Sequence, residues 1–390
     1  MEPIEFIKPW YYSTAFYFLF LFLTWATIVY YLGSNSQKLL HSEGSPSQGA
    51  AFLLTLLMSF FIGLRQLASD FGDTRAYASN YRLITEYSNV NLKSEWLWQN
   101  IQLFFKTVLG LNVHEFFVFV AIVFFFGMFI CSWIVVRKNL WIAMIFFFVA
   151  LQTFTYGTNG IRNGMALSMV LVSIALLAEY GERMKIWAAI IMLLAFCIHR
   201  SSMLPSVSAF VALYFVKDTK WGFRFWLASI AISLLAGPLV TQFFAALGFD
   251  DRMRAYSQME ADEEIFSHTG FRWDFLLYSV FPVLMIWYVN RHRNFNDPGY
   301  SLIANTYLFC NAFWIMVIRS SFSNRFAYLS WFLYPVVIFY PLLRMNIWKD
   351  QDRKTAIILF LYSGFTFFMF FIYYFGTTGF RGFDQYWWRE

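Results

Sequence analysis

Residues 115–135 read EFFVFVAIVFFFGMFICSWIV, a run whose only charge is its first residue. About 20 apolar residues suffice for a helix to cross the hydrocarbon core of a bilayer. Comparable runs occupy 13–32, 50–65, 139–157, 162–180, 185–198, 203–216, 225–246, 275–290, 300–318, 326–344 and 355–376. At about 20 residues per span they predict an all-α polytopic membrane protein of about 12 transmembrane helices. The runs 50–65, 185–198 and 203–216 are short, which suits helices that stop inside a protein-lined cavity.

The residue balance points the same way. Of 390 residues, 59% are hydrophobic, 23% aromatic and 13% charged, whereas soluble domains carry about 25% charged residues. The length alone would accommodate roughly two or three soluble domains. The polar linkers that would separate them are missing, so 1–390 reads as a single transmembrane domain. The net charge of +6 is explained by Lys and Arg collecting in short cytoplasmic loops, not by nucleic-acid binding. Cys131, Cys197 and Cys310 lie inside apolar runs, without the spacing of a metal cluster or a disulfide framework. The first run is long and lacks a small-residue cleavage site, so it is expected to remain as a helix.

Counting cations orients the chain. With the N-terminus outside, the inner loops hold Lys38; Arg137 and Lys138; Arg183 and Lys185; Lys217, Lys220 and Arg224; Arg291 and Arg293; and Arg344, Lys349, Arg353 and Lys354. Seven of the ten lysines fall there, against Lys8, Lys93 and Lys106 outside. Cytoplasmic loops are the cationic ones, so both termini are expected outside. The outer face then carries a long extracytoplasmic connection, 66–114. Its segment WLWQNIQLFFKTVLGL, 96–111, is expected to lie flat at the interface as a helix. A second extracytoplasmic connection spans 247–274, and tight corners fall at Thr158–Arg162, His199–Ser202 and Arg319–Arg325.

Arginine on that outer face runs against the topology trend. Arg65, Arg75, Arg162, Arg200, Arg252, Arg254, Arg272, Arg319 and Arg325 all fall there. Guanidinium donates two parallel hydrogen bonds to phosphate, so several converging from different helices would clamp a pyrophosphate. Taken singly, each also reads as a snorkelling or paired surface side chain. Arg162 has the strongest physical case. It opens a helix after Tyr156-Gly157-Thr158-Asn159-Gly160, where Thr158 or Asn159 can cap and the helix N-terminus attracts anions. His199 ends a short run and precedes Arg200-Ser201-Ser202. A histidine at membrane depth is either functional or buried in a polar network, and it can serve as general base or hydrogen-bond donor.

The stretch Gly63-Leu64-Arg65 … Asp70-Phe71-Gly72-Asp73-Thr74-Arg75-Ala76-Tyr77 … Tyr81 sets two carboxylates beside two arginines. Asp70 or Asp73 can deprotonate an acceptor hydroxyl or hold a sugar, and tyrosines such as Tyr77 and Tyr81 can stack on sugar rings. The bland reading is a loop with routine ion pairs. The acidic run Glu260-Ala261-Asp262-Glu263-Glu264 reads as a solvated loop. HExxH, P-loop, GxSxG and Cys/His metal spacings are missing, which argues against ATP-driven transport and the common zinc hydrolases. No cofactor or metal is expected.

In order, these residues resemble the EpsG family of exopolysaccharide polymerases, relatives of the Wzy-type O-antigen polymerases. The likeness runs from Gly63-Leu64-Arg65 and Gly72-Asp73-Thr74 with Tyr77, through Arg162, and His199 with Ser201. It continues in Asp251-Arg252-Met253-Arg254-Ala255-Tyr256 and Asn324-Arg325-Phe326-Ala327-Tyr328. It covers about 60–340. One departure is Asn163, where the family often has Gln; another is the extra carboxylate Asp70, which leaves the choice between Asp70 and Asp73 open. The resemblance implies a metal-independent glycosyltransferase of GT-C-like helical architecture in a bacterial inner membrane, its site facing the periplasm or exterior. Donor and acceptor would be oligosaccharide repeats on undecaprenyl pyrophosphate, joined with release of undecaprenyl pyrophosphate, in O-antigen, capsule or exopolysaccharide synthesis. A chain-length regulator and a flippase would be its partners.

On that reading Arg162, Arg254 and Arg325 hold the pyrophosphate, with Arg65, Arg75 and Arg252 as further candidates. His199 or Asp73 is the base, Asp70 its alternative, and Tyr77, Tyr81 and Tyr256 hold sugars. The competing readings are a flippase for the same lipid-linked oligosaccharide and a membrane acyltransferase. Transporters commonly show repeated halves and midplane charges, whereas this chain has no visible repeat and its charges gather at one face. An acyltransferase would use a histidine but has no need of many outer arginines, and a non-enzymatic scaffold leaves those arginines unexplained.

Overall fold

The structure, a computed structural model, describes residues 1–32, 47–85, 89, 95–246, 271–319 and 323–378. Among these residues the regular structure is entirely helical. The helices are α1 Pro9–Leu32, α2 Ser47–Gly63, α3 Thr74–Leu83, α4 Trp96–Leu103, α5 Val113–Val136, α6 Leu140–Phe148, α7 Leu151–Thr158 and α8 Ile161–Tyr180. They continue as α9 Lys185–Ile198, α10 Met203–Tyr214, α11 Thr219–Ala246, α12 Trp273–His292, α13 Pro298–Met316, α14 Ser323–Trp331, α15 Tyr334–Arg344 and α16 Gln351–Thr378.

Six stretches of the described residues are long and apolar enough to cross a membrane: Pro9–Tyr30, Val113–Val136, Ile161–Ile198, Trp273–His292, Arg325–Arg344 and Gln351–Phe371. The pair α6 and α7 makes a seventh if counted as one bent span. Every apolar run named above is helical, but three are interrupted or joined unexpectedly. The run 139–157 splits at Val149–Ala150 with a bend of 73°. The run 326–344 divides between Trp331 and Tyr334, with Pro335 opening α15. The third departure is the 38-residue stretch Ile161–Ile198, in which Gly181 at φ 60° ends α8 before α9 begins.

A helix break in an apolar interior leaves backbone groups that the protein itself must satisfy. Here side chains do so. Thr153 Oγ1 donates to Phe147 O (2.6 Å), Tyr17 OH donates to Leu151 O (3.2 Å), and Tyr278 OH accepts from Leu151 N (3.4 Å). Gln152 Nε2, one residue into α7, donates to Trp331 O at the second break (2.7 Å). The two breaks therefore face each other and are pinned together. Beside them Asn311 accepts from Trp226 Nε1 (2.8 Å) and donates to Ser279 Oγ (3.1 Å) and Ser330 Oγ (2.9 Å). This ties α11, α12, α13 and α14 through one satisfied buried network.

Contacts sort the loops into two ends. At one end Met1 pairs with Glu115, Gln66 Nε2 reaches Ile4 O and Ile7 O, Asp73 meets Asn159, and Glu95 meets Arg162 and His199. At the other, Arg344 meets Glu179 and Val135 O, Arg137 pairs with Glu179, Asn290 meets Thr219, Asn305 meets Val216 O, and Tyr340 meets Asp297. The second set contains the short cationic loops, and the first contains the arginine-rich corners.

Candidate active site

At the first end α2 delivers Arg65. The helix ends at Gly63, where an added Cβ would stand 2.5 Å from Val118 Cα, so only glycine allows α2 this close to α5. Arg65 follows, 1% exposed. Its Nη1 donates to Ile62 O (2.9 Å), Nη2 to Thr158 O (3.0 Å) and Thr74 Oγ1 (3.0 Å), and Nε also to Thr74 Oγ1 (3.1 Å). Its guanidinium lies 4.6 Å from the Phe117 ring centre. Arg65, a candidate for pyrophosphate, is instead a buried brace. It fastens the end of α7 to the start of α3, and burial draws its pKa down from the ordinary arginine value.

The carboxylate motif folds as a turn into α3. Asp70 sits exposed in the 3₁₀ turn Ser69–Phe71. Gly72 follows at φ 57°, and a Cβ there would stand 2.4 Å from Asn159 Oδ1. Asp73 is exposed at the N-cap of α3, and its backbone N–H donates to that same Asn159 Oδ1 (2.8 Å). Gly72→Ala would meet both the positive-φ penalty and the clash. Each such strained backbone costs about 1–3 kcal/mol. The purified variant is expected to unfold several degrees lower than wild type in detergent, and an unchanged melting curve would contradict this geometry.

The expected cap on α8 is also different. Neither Thr158 nor Asn159 caps it: Gly160 is the N-cap residue with no side-chain cap bond. Thr158 Oγ1 is turned back to Phe154 O (2.9 Å), and Asn159 is committed to Asp73 N. The first turn of α8 therefore keeps its amide groups without a side-chain cap, with Arg162 as its second residue.

Arg162 is the centre of the cluster. Its Nη1 donates to Glu95 Oε2 at 2.6 Å, and its guanidinium lies over the Tyr77 ring at 5.6 Å. Its Nε is buried and makes no hydrogen bond among the described residues. Asp73 lies within electrostatic reach. The other carboxylate oxygen, Glu95 Oε1, meets His199 Nδ1 at 2.6 Å and the Arg200 backbone N–H at 3.4 Å. Glu95 itself is held at φ 55° immediately before α4, a strained position for a non-glycine residue. Helix α4 rests against α9, and Trp98, 3% exposed, meets Tyr77 edge-on at 6.0 Å.

Burial disfavours charge on Glu95. The hydrogen bond and charge of His199, the charge of Arg162 and the Arg200 amide outweigh it and hold the carboxyl down at about 2. Glu95 is thus a fixed anion. An anion only accepts, so His199 Nδ1 donates to it, which leaves Nε2 as the ring nitrogen not engaged by Glu95. On the far side of Arg162, Asn163 Nδ2 donates to Tyr156 OH (3.1 Å) and Ser201 Oγ donates to Asn163 Oδ1 (3.4 Å).

The remaining candidates divide. Tyr77 is 9% exposed beneath Arg162. Tyr81 is 2% exposed, stacked on Phe116 at 5.0 Å, with its hydroxyl on Leu111 O (2.8 Å). It is a wall residue, not a surface for a sugar. Arg75 is exposed and donates through Nε to Leu67 O (3.3 Å). Arg325 is half-buried in the first turn of α14, at the same end. Three residues on, Tyr328 packs edge-on against Tyr156 at 5.3 Å. Arg272 is bound to Asp274 (3.0 and 2.7 Å), and Arg319 lies 6.0 Å from the Phe271 ring centre. Arg252, Arg254, Tyr256 and the acidic run 260–264 lie outside the described residues. Among the described residues no three His, Cys, Asp or Glu side chains gather at one point.

Glu95 is the residue the sequence does not mark. It lies 67 residues from Arg162 and 104 from His199. The available signal is indirect: a cation and a histidine at membrane depth call for an anion, and Glu95 stands on the outer connection just before α4. A half-buried Arg–Glu–His cluster beside an uncapped helix start can hold an anionic group and accept a proton. No curated protein matches the chain, nor does any solved structure. The family model described as the EpsG family matches residues 50–386, most of the chain and every element that builds this cluster, so the chain belongs to the EpsG family.

Proposed function

We propose that the protein is a polysaccharide polymerase that joins oligosaccharide repeats carried on undecaprenyl pyrophosphate, releasing undecaprenyl pyrophosphate. The family supplies the polymerase reading. The observation that carries the site is Arg162: a half-buried guanidinium at a helix start, its buried Nε lacking an acceptor among the described residues, linked through Glu95 to an oriented histidine. A buried donor without a partner is rare in folded proteins and is supplied here by a substrate oxygen.

In this reaction the bond between the donor's anomeric carbon and the pyrophosphate oxygen breaks. The acceptor hydroxyl oxygen bonds to that carbon, and its proton passes to His199 Nε2. Glu95 stabilises the imidazolium that results. Arg162 and the amides of α8 stabilise charge on the departing pyrophosphate, generally the largest catalytic contribution. Arg325, Arg254 and Arg252 complete the clamp, while Arg65 braces it. Asp73 and Tyr77 border the acceptor side, Asp70 and Arg75 form the outer rim, and Tyr256 is a further candidate to hold a sugar. The architecture we propose has twelve spans of GT-C-like type, the site facing the periplasm or exterior of a bacterial inner membrane.

The two facing helix breaks are the feature that a transporter reading would use. Their backbone groups are taken by Thr153, Tyr17, Tyr278 and Gln152, which favours a structural pin over a passage. The deciding experiment supplies purified protein in proteoliposomes with undecaprenyl-pyrophosphate-linked repeats. A ladder of oligomers with release of undecaprenyl pyrophosphate is the expected result. Movement of the lipid-linked repeat across the bilayer with no new glycosidic bond would overturn the proposal in favour of a flippase.

A further inference from the structure

At the end of the bundle opposite Glu95, helices α12, α15 and α16 leave a cavity of about 260 Å³ between them. Its walls are apolar, with Leu284, Ile338, Leu361 and Phe365 among them. Leu284 and Leu361 are 52% and 58% exposed, so the cavity opens on the flank of the bundle, where a membrane protein meets lipid. Tyr288 and Trp348 line its other end.

That end is polar and positive. The Tyr288 hydroxyl accepts from Trp348 Nε1 (3.0 Å) and from Arg293 Nε (2.9 Å). The Arg293 guanidinium lies 5.5 Å from the Tyr288 ring centre and 5.9 Å from that of Trp348. Arg293 is exposed, and Lys354 lies within electrostatic reach of the same phenol. An apolar slot open to the flank, finished by two amphipathic rings and a cation, has the profile of a chain-and-headgroup site: aromatics and cations mark the headgroup level of a bilayer.

We propose that this cavity binds a bilayer phospholipid with an anionic headgroup, one acyl chain in the slot and the phosphate on Arg293. The cationic loops of this end attract anionic lipid. The proposed pyrophosphate site is at the other end, so the occupant is the membrane's own lipid and not the sugar carrier. The inference is independent of the polymerase reading.

The test uses the full-length protein in a non-ionic detergent, exposed to equal amounts of phosphatidylglycerol and phosphatidylcholine and read by native mass spectrometry. Wild type is expected to retain phosphatidylglycerol at least several-fold over phosphatidylcholine. Arg293→Gln should erase that preference, and Ile338→Phe, which fills the slot, should lower retention of both lipids. Equal retention of the two lipids by wild type would overturn the proposal without any variant having to fold. So would undiminished phosphatidylglycerol retention in both variants when they elute as monodisperse protein.

Discussion

Glu95→Gln is expected to lower the turnover of polymerisation by ~10²–10³, the scale of a positioned acid–base group, while leaving KM for the lipid-linked repeat within a few-fold. The amide preserves shape and can still accept from His199 Nδ1, but it is neutral. In the proposed reaction the imidazolium formed when His199 takes the acceptor proton then lacks its counter-charge, and the loss falls on the chemical step. Because Glu95 touches His199 and not the reacting atoms, it is a positioning residue. Its signature is the split itself, with kcat lowered while KM for the lipid-linked repeat holds. A variant with wild-type turnover, or one that changes KM alone, would remove Glu95 from this role.

Glu95 also gives the fold a pH dependence of definite sign. Its folded pKa, about 2, is below its ordinary value of 4.5. A depressed carboxylate contributes stability that is complete above the unfolded pKa and is lost as pH falls toward the folded one. Wild type should therefore lose thermal stability between about pH 4.5 and 2, and Glu95→Gln should flatten part of that limb.

The sequence makes some of this structure legible and hides the rest for identifiable reasons. The apolar runs of the 390-residue chain coincide with helices, and Pro335 announces the second helix break. The first break carries no such mark. Phe148-Val149-Ala150 contains neither Pro nor Gly, and the groups that satisfy it, Tyr17 and Tyr278, are 134 and 127 residues away. Arg162 stands out because arginine on the outer face runs against the topology trend, and His199 because a histidine at membrane depth calls for a polar partner. Arg65 stands out for the same reason as Arg162, yet 1% exposure makes it a brace: burial is a property of the packing, which a short motif does not encode. Tyr81 misleads in the same way. Glu95 is silent because a carboxylate in a polar connection is ordinary until the fold sets Arg162 and His199 against it.

Arg162→Ala carries the other large effect. In the proposed reaction the leaving pyrophosphate then loses the Arg162 guanidinium, and removal of one such donor commonly reduces kcat by ~10²–10³. Arg162→Lys should recover only a fraction. Lysine restores a point charge but not the fork that lets Nη1 hold Glu95 while Nε, buried and without an acceptor among the described residues, reaches a second oxygen. The alanine variant also strips the Arg162 guanidinium from Glu95, whose side chain is only 17% exposed, while its contact with His199 stays. Part of the loss therefore passes through Glu95, and the two substitutions should not add. The double variant Glu95→Gln/Arg162→Ala is expected to be less impaired than the product of the single losses, as for residues acting through one network. Strict multiplicativity would mean that Arg162 and the Glu95–His199 pair act separately, and the cluster would then be two sites that happen to touch.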